Sequence, residues 1–285
     1  EMVEKAGVPA GMVSIMPMDR AVGDKLVTDD RFKLLSFTGS PDVGWDMKAR
    51  AGKKKVVLEL GGNAGVLVDK DANLDVAVNR ILTGAFAYAG QVCISVQRAY
   101  IHRDVFDEVL AKLVEAAGKV KMGDPADPAT DLGPMIDEGA VDRIHGWVNS
   151  AVEEGAVVHT GGEPAGNFFP PTILTNVSSD SFVCSREAFA PIVTVFPFDT
   201  WEEGLEKIND SVFGLQAGVF TSNLEHGLMA FDRLEVGGVI LNDIPTYRID
   251  HMPYGGVKDS GLSREGIKYA IEDMTETRLL VVNRV

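Results

Sequence analysis

The segment from Arg31 to Gly62 limits the possible folds more than any other part of the chain. Arg31–Phe37 (RFKLLSF) is an apolar, β-prone run ending in Thr38, Gly39 and Ser40. Pro41 and Asp42 then open a helix reaching about Ala51, and Lys55–Leu60 (KVVLEL) is a second β-prone run closed by Gly61 and Gly62. Strand, glycine turn, helix and strand in ~30 residues make a right-handed βαβ unit with parallel strands. The same alternation continues downstream, which predicts an α/β fold with a largely parallel sheet. Asp104 is expected to cap an amphipathic helix carrying Val105, Phe106, Val109, Leu110 and Leu113 on one face. A second helix is expected over 138–154, with Gly155 as its stop, and strands at 192–196, 217–220 and 239–241. Near the start, residues 1–7 read as a helix and Met12–Met16 as a strand-like run. The tail, 277–285, is β-prone with no hairpin returning from it, and such a strand pairs readily with another protomer.

Composition narrows the partners. With 27 basic against 42 acidic residues the net charge is −15, so neither nucleic acid nor a membrane surface is an expected partner. No apolar run approaches the ~18 residues that span a bilayer. Two cysteines in 285 residues make no disulfide framework and suggest a reducing, cytoplasmic setting, and no secretion-type leader opens the sequence. Because the chain starts at Glu1 with a helix under way, it is expected to be a piece of a longer protein.

Few residues carry a chemical signal. Gly39 and Ser40, with Gly44 five residues after Gly39, could hold a pyrophosphate at a helix N-terminus, or could form an ordinary strand-to-helix turn. Cys93, in AGQVCIS, is either a small buried hydrophobe or a thiolate at a crowded helix start. Glu59 interrupts an apolar strand end; it is either exposed at an edge or a buried carboxyl with a raised pKa, suited to general-base work. Cys184 reads as structural, and the five histidines and two cysteines show no metal-ligand spacing, so no metal is expected.

Together these segments resemble the NAD(P)-dependent aldehyde dehydrogenase superfamily. Phe37–Ser40 (FTGS) with Gly44 resembles its nucleotide turn, LELGG at 58–62 its general-base motif and GQVC at 90–93 its nucleophile motif, with Glu59 and Cys93 34 residues apart as in the family. EAFAP at 187–191, Asn242 and PYGGVKDSG at 253–261 also match. The resemblance covers the C-terminal part of a family chain nearly twice as long. It implies a parallel-sheet catalytic domain over 61–245, half of a Rossmann-like nucleotide domain over 1–60 with a return over 246–272, and an oligomerisation strand over 273–285 in a homodimer or homotetramer. It also implies NAD or NADP as cofactor. Phe37, Thr38, Gly39, Ser40 and Gly44 would form the nucleotide turn, with Gly39 and Ser40 at the pyrophosphate; the Leu60 carbonyl would meet the carboxamide, Glu187 the ribose and Phe189 the nicotinamide ring, and Gly61 would also belong to the cofactor site.

The activity implied is oxidation of a small aldehyde to a carboxylic acid, with Cys93 forming a thiohemiacetal and then a thioester that Glu59 helps to hydrolyse. Arg248, His251 and Tyr254 match the substrate entrance, where a cation would favour an anionic aldehyde; an ion pair between Arg248 and a nearby acid is the competing role. In the family, the part that this chain does not match carries a ribose-binding lysine and an oxyanion-hole asparagine, so this chain alone is expected to be weakly active or inactive. Acyl transfer to CoA and a non-catalytic dimerising piece are the alternatives.

Overall fold

The βαβ unit is present. In the computed structural model, which describes residues 1–284, β1 (Leu34–Thr38) pairs in parallel with β2 (Lys55–Glu59), with Thr38 opposite Glu59 at their C-terminal ends. Between them α3 (Pro41–Arg50) starts with Pro41 in its first turn and carries Lys48 and Arg50 in its last, where cations complement the dipole. Two short helices precede this unit, α1 (Met2–Lys5) and α2 (Arg20–Thr28). Much later, β12 (Gly261–Leu262) returns to pair antiparallel with β2, completing a three-stranded sheet in the order β1-β2-β12.

The larger sheet is built from β3 (Ala64–Val68), β4 (Val96–His102), β5 (Val157–Thr160), β6 (Thr172–Thr175), β7 (Ile192–Phe198), β9 (Gln216–Phe220) and β10 (Gly238–Leu241). Their order is β10-β9-β3-β4-β7-β6-β5, all pairs parallel except β5 with β6. A small ribbon joins β8 (Phe213–Gly214) to β11 (Val257–Lys258).

Helices cover both faces of this sheet, so its strands need apolar residues on both sides. Val66 and Val68 of β3, with Ala99 and Ile101 of β4, pack beneath α4 (Leu74–Phe86) and α5 (Arg103–Ala117). Leu67 and Tyr100 point the other way, onto α8 (Trp201–Asn209) and α9 (Leu224–Arg233). A third cluster packs α6 (Glu138–Glu153) and α7 (Phe182–Ser185) against Leu174 and Ile192. Helix α10 (Ile267–Met274) follows β12.

Several sequence expectations need correction. Met12–Met16 is not a strand; no described strand lies beside it, and Met12 and Ile15 are exposed. The first helix is a single turn followed by Gly7 at φ +73°. Residue 104 is not the cap of α5: His102 occupies that place and its Nδ1 accepts from the Asp104 N–H at 3.2 Å. Asp273 and Met274 close α10, so they belong to no terminal strand. Residues 275–284 form no strand here, for want of a partner among the described residues; Val285, the end of the expected tail, lies outside them.

Candidate active site

Three backbone approaches build the site. The first lies at the end of β2, where Gly61 and Gly62 follow Glu59. A Cβ on Gly62 would sit 2.0 Å from the Cys93 carbonyl oxygen, so only glycine lets this turn rest on the Cys93 segment. A Cβ on Gly61 would meet the Glu187 carboxylate at 2.7 Å, and the Gly62 N–H donates to Glu187 Oε1 at 2.9 Å. Glu187 is thereby held against the strand end from 125 residues away.

The second is the Cys93 turn. Before it, Tyr88, Ala89 and Gly90 are all left-handed, at φ +53°, +54° and +66°. Strain of this kind persists only where surrounding contacts fix it. Gly90 is pressed against the Ala190 carbonyl, and Gln91 Oε1 accepts from the Ile136 N–H at 2.9 Å. The expected helix start at Cys93 is absent: the residue occupies a turn that leads into β4, so no helix dipole serves its thiol. Cys93 is half-buried and packs with Val92 and Met252 around Ile94, Leu215 and Tyr254. Its sulfur lies 3.2 Å from the Tyr254 hydroxyl. Burial pushes the thiol above its ordinary value; the Tyr254 hydrogen bond pulls it back, while the Glu187 and Glu59 charges push it up.

The third approach brings Gly255 onto Glu59, whose Oε1 would lie 2.8 Å from a Cβ there. Tyr254 and Gly255 therefore bridge the two catalytic candidates, one touching the sulfur and the other the carboxylate. Glu59 is buried, and both its oxygens lack a hydrogen-bond partner among the described residues. Burial, then the neighbouring Glu265 charge, raise its pKa to about 8 against the weaker pull of Arg248 and Arg264. Of the two sequence options for Glu59, the buried one is realised.

The remaining candidates fall in two places. Phe37, Gly39 and Ser40 line a groove of about 820 Å³ with Val43, beside the N-terminus of α3. The Ser40 side chain makes no cap hydrogen bond, which leaves its hydroxyl available to a ligand in that groove. Asp24 and Asp46 on the same wall are both paired with Arg50. Gly44 faces inward: a Cβ there would strike Leu60, so it serves helix-to-strand packing. Thr38 ends β1, and Phe189 is left-handed at φ +49° and 40% exposed. At the other place, Arg248 donates to Glu265 Oε2 at 2.5 Å and lies 4.2 Å over the Tyr254 ring, and His251 is exposed in the turn before Tyr254. The ion-pair option for Arg248 is thus occupied, by Glu265 and not by Asp250.

Sequence reasoning missed the residues that hold Glu187 in place. Buried Asn63 donates to the Cys184 and Arg186 carbonyls at 2.5 and 3.1 Å. Gln97 donates to the Val183 and Arg186 carbonyls and accepts from the Ala188 N–H. Arg143 reaches the Ala188 carbonyl at 2.9 Å. A polar residue inside an apolar strand, as Gln97 is, was the available signal.

The chain belongs to the aldehyde dehydrogenase family, whose model matches residues 1–280. It is 47% identical over 284 residues to a 3-sulfolactaldehyde dehydrogenase of Priestia aryabhattai, covering 99% of this chain and 60% of that protein. The crystal structure of aldehyde dehydrogenase 21 from Physcomitrella patens, in complex with the reaction product succinate, superposes with a TM-score of 0.94 at 47% identity, over 96% of this chain and 57% of that one. A glyceraldehyde-3-phosphate dehydrogenase from Methanocaldococcus jannaschii complexed with NADP gives 0.92 at 39% identity, over 95% and 59%. The chain therefore spans about 60% of the length of the curated relatives it matches.

Proposed function

We propose that the protein carrying this chain oxidises a small aldehyde to a carboxylic acid, with Cys93 as nucleophile and Glu59 as the base that releases the product. The observation that carries this reading is the pairing, across Tyr254 and Gly255, of a half-buried thiol with a buried carboxyl group that has no hydrogen-bond partner among the described residues. The sulfur adds to the aldehyde carbonyl, and the Cys93 backbone N–H is the donor this chain offers to the resulting oxyanion. NAD or NADP, when bound, would supply the hydride acceptor that this oxidation to the thioester level requires. Ser40, Gly39 and the N-terminus of α3 would hold its pyrophosphate, the Leu60 carbonyl its carboxamide, Glu187 its ribose and Phe189 its ring. Glu59 then takes a proton from water as the water attacks the thioester, and the acid leaves with the thiol restored. A carboxyl poised near neutrality suits that step.

A small anionic aldehyde is the favoured substrate class. The support is a relative named for 3-sulfolactaldehyde and a structural neighbour that holds succinate. Arg248, at the Tyr254 edge of the site, is the candidate cation, although Glu265 already balances part of its charge. Residues 1–60 and 246–272 would form the nucleotide-binding part, since β12 pairs with β2, and 61–245 the catalytic part.

The test uses the full-length protein. Glu59→Gln should still release about one equivalent of NAD(P)H per site in a rapid burst, while steady-state turnover falls by roughly 10²–10⁴-fold. Wild-type turnover should rise with pH toward an inflection near 8, the value set by Glu59. Undiminished turnover in the variant would remove Glu59 from the mechanism.

A further inference from the structure

The sulfur of Cys93 must ionise in surroundings that disfavour it. Its cluster is apolar, the helix N-terminus that the sequence suggested is absent, and the acids that act on it, Glu59 from β2 and Glu187 from the segment after α7, are both unfavourable to a second negative charge. One side chain compensates. The Tyr254 hydroxyl stands 3.2 Å from the sulfur, on a ring only 3% exposed.

We propose that Tyr254 is the positioning residue for the nucleophile, its hydroxyl donating a hydrogen bond to the Cys93 thiolate and so holding the ionised sulfur in place. The inference rests on the reading of Cys93 as nucleophile and adds what makes that thiolate accessible in an acidic, apolar setting. Either atom could donate while both are protonated, but the direction is fixed once the thiol loses its proton to solvent: a thiolate only accepts. The phenol remains protonated through this range because burial, and then the nearby Cys93 and Glu59 charges, push its pKa far above the ordinary value. Nor is the ring free to swing away. Tyr254 and Glu265 exchange two backbone hydrogen bonds, Tyr254 packs with Ile94 and Leu215, and the Arg248 guanidinium, itself paired with Glu265, lies over the ring. A hydrogen bond held this rigidly favours the charged form without reorganisation when the sulfur ionises.

The experiment follows the rate of alkylation by iodoacetamide against pH, with Cys93 modification located by mass spectrometry so that buried Cys184 is counted separately. Tyr254→Phe keeps the ring and removes one oxygen. It should raise the Cys93 midpoint by about one pH unit and slow alkylation roughly tenfold below the midpoint. Met252→Leu repacks the same cluster and leaves the hydroxyl alone, so its midpoint should stay at the wild-type value. Equal midpoints in wild type and Tyr254→Phe would overturn the proposal. A shift in Met252→Leu as large as that in Tyr254→Phe would also overturn it, because packing would then set the thiol. Alkylation needs neither aldehyde nor cofactor, so the two readings fail separately. Displaced midpoints in a protein that oxidises no aldehyde would uphold the hydrogen bond and sink the dehydrogenase, and coincident midpoints in an active enzyme would do the reverse.

Discussion

Glu59 shows how burial changes the acidity of an ordinary side chain. Its carboxyl lies at the end of a strand paired on both sides, without a hydrogen-bond donor among the described residues, and its pKa rises from an ordinary 4.5 to about 8. The raised value has a stability consequence of definite sign. Below pH 4.5 the group is protonated in both folded and unfolded chains and contributes nothing. Between 4.5 and 8 the unfolded chain releases the proton while the native state keeps it, so native stability falls as pH rises through that window. The loss is about 1.4 kcal/mol per pH unit at most. Glu59→Gln should remove it: urea midpoints of the variant relative to wild type should climb steadily from pH 5 to pH 8. Parallel pH curves for the two proteins would show that Glu59 titrates normally. At this scale the motif around Glu59 and the one around Cys93 were legible, because both are short and contiguous. The Tyr254 contact was not, since its partners are 161 residues apart and only the folded chain makes them neighbours.

The βαβ unit, α6 and the strands β7, β9 and β10 were readable as elements because periodicity and punctuation agree there, whereas β3, β4 and β6 were not singled out. Asp137 is a case of local chemistry acting without tertiary help: its Oδ1 accepts from the Ala140 N–H at 2.7 Å and closes the first turn of α6. Asp137→Ala should lower stability by about 1 kcal/mol, and Asp137→Asn should be nearly neutral. Chemical denaturation with an unchanged m-value would verify this, and equal losses in both variants would point to charge instead of capping. The cap of α5 follows a different logic. An acidic residue at 104 looks like a cap by type, but β4 runs without a loop into the helix, so the residue at the junction, His102, supplies the acceptor. The Cys93 turn departs from expectation for a related reason. Three successive left-handed residues are not a local preference of Tyr and Ala; contacts with residues 136 and 190 impose them.

Across the whole molecule, the chain leaves the larger sheet after β10 and comes back to the smaller one through β12, and that return carries Tyr254 and Gly255 between Cys93 and Glu59. Beyond α10 the residues Leu279–Val282 are between 69% and 89% exposed, an apolar stretch that a second protomer could cover. We expect the full-length protein to assemble as a dimer or tetramer through this stretch. Removing residues 277–285 should lower its solution mass toward that of a monomer by light scattering, and an unchanged mass would place the interface elsewhere. The sequence by itself determined the α/β class, the parallel pairing of β1 with β2, and the candidate nucleophile and base, because apolar periodicity, glycine turns and short motifs are properties of neighbours along the chain. Tertiary structure alone decided that Glu59 is buried and unpartnered, that Arg248 belongs to Glu265, and that a tyrosine from the returning segment meets the sulfur. Burial and long-range contact depend on what the rest of the chain packs against each group, and no local pattern encodes that.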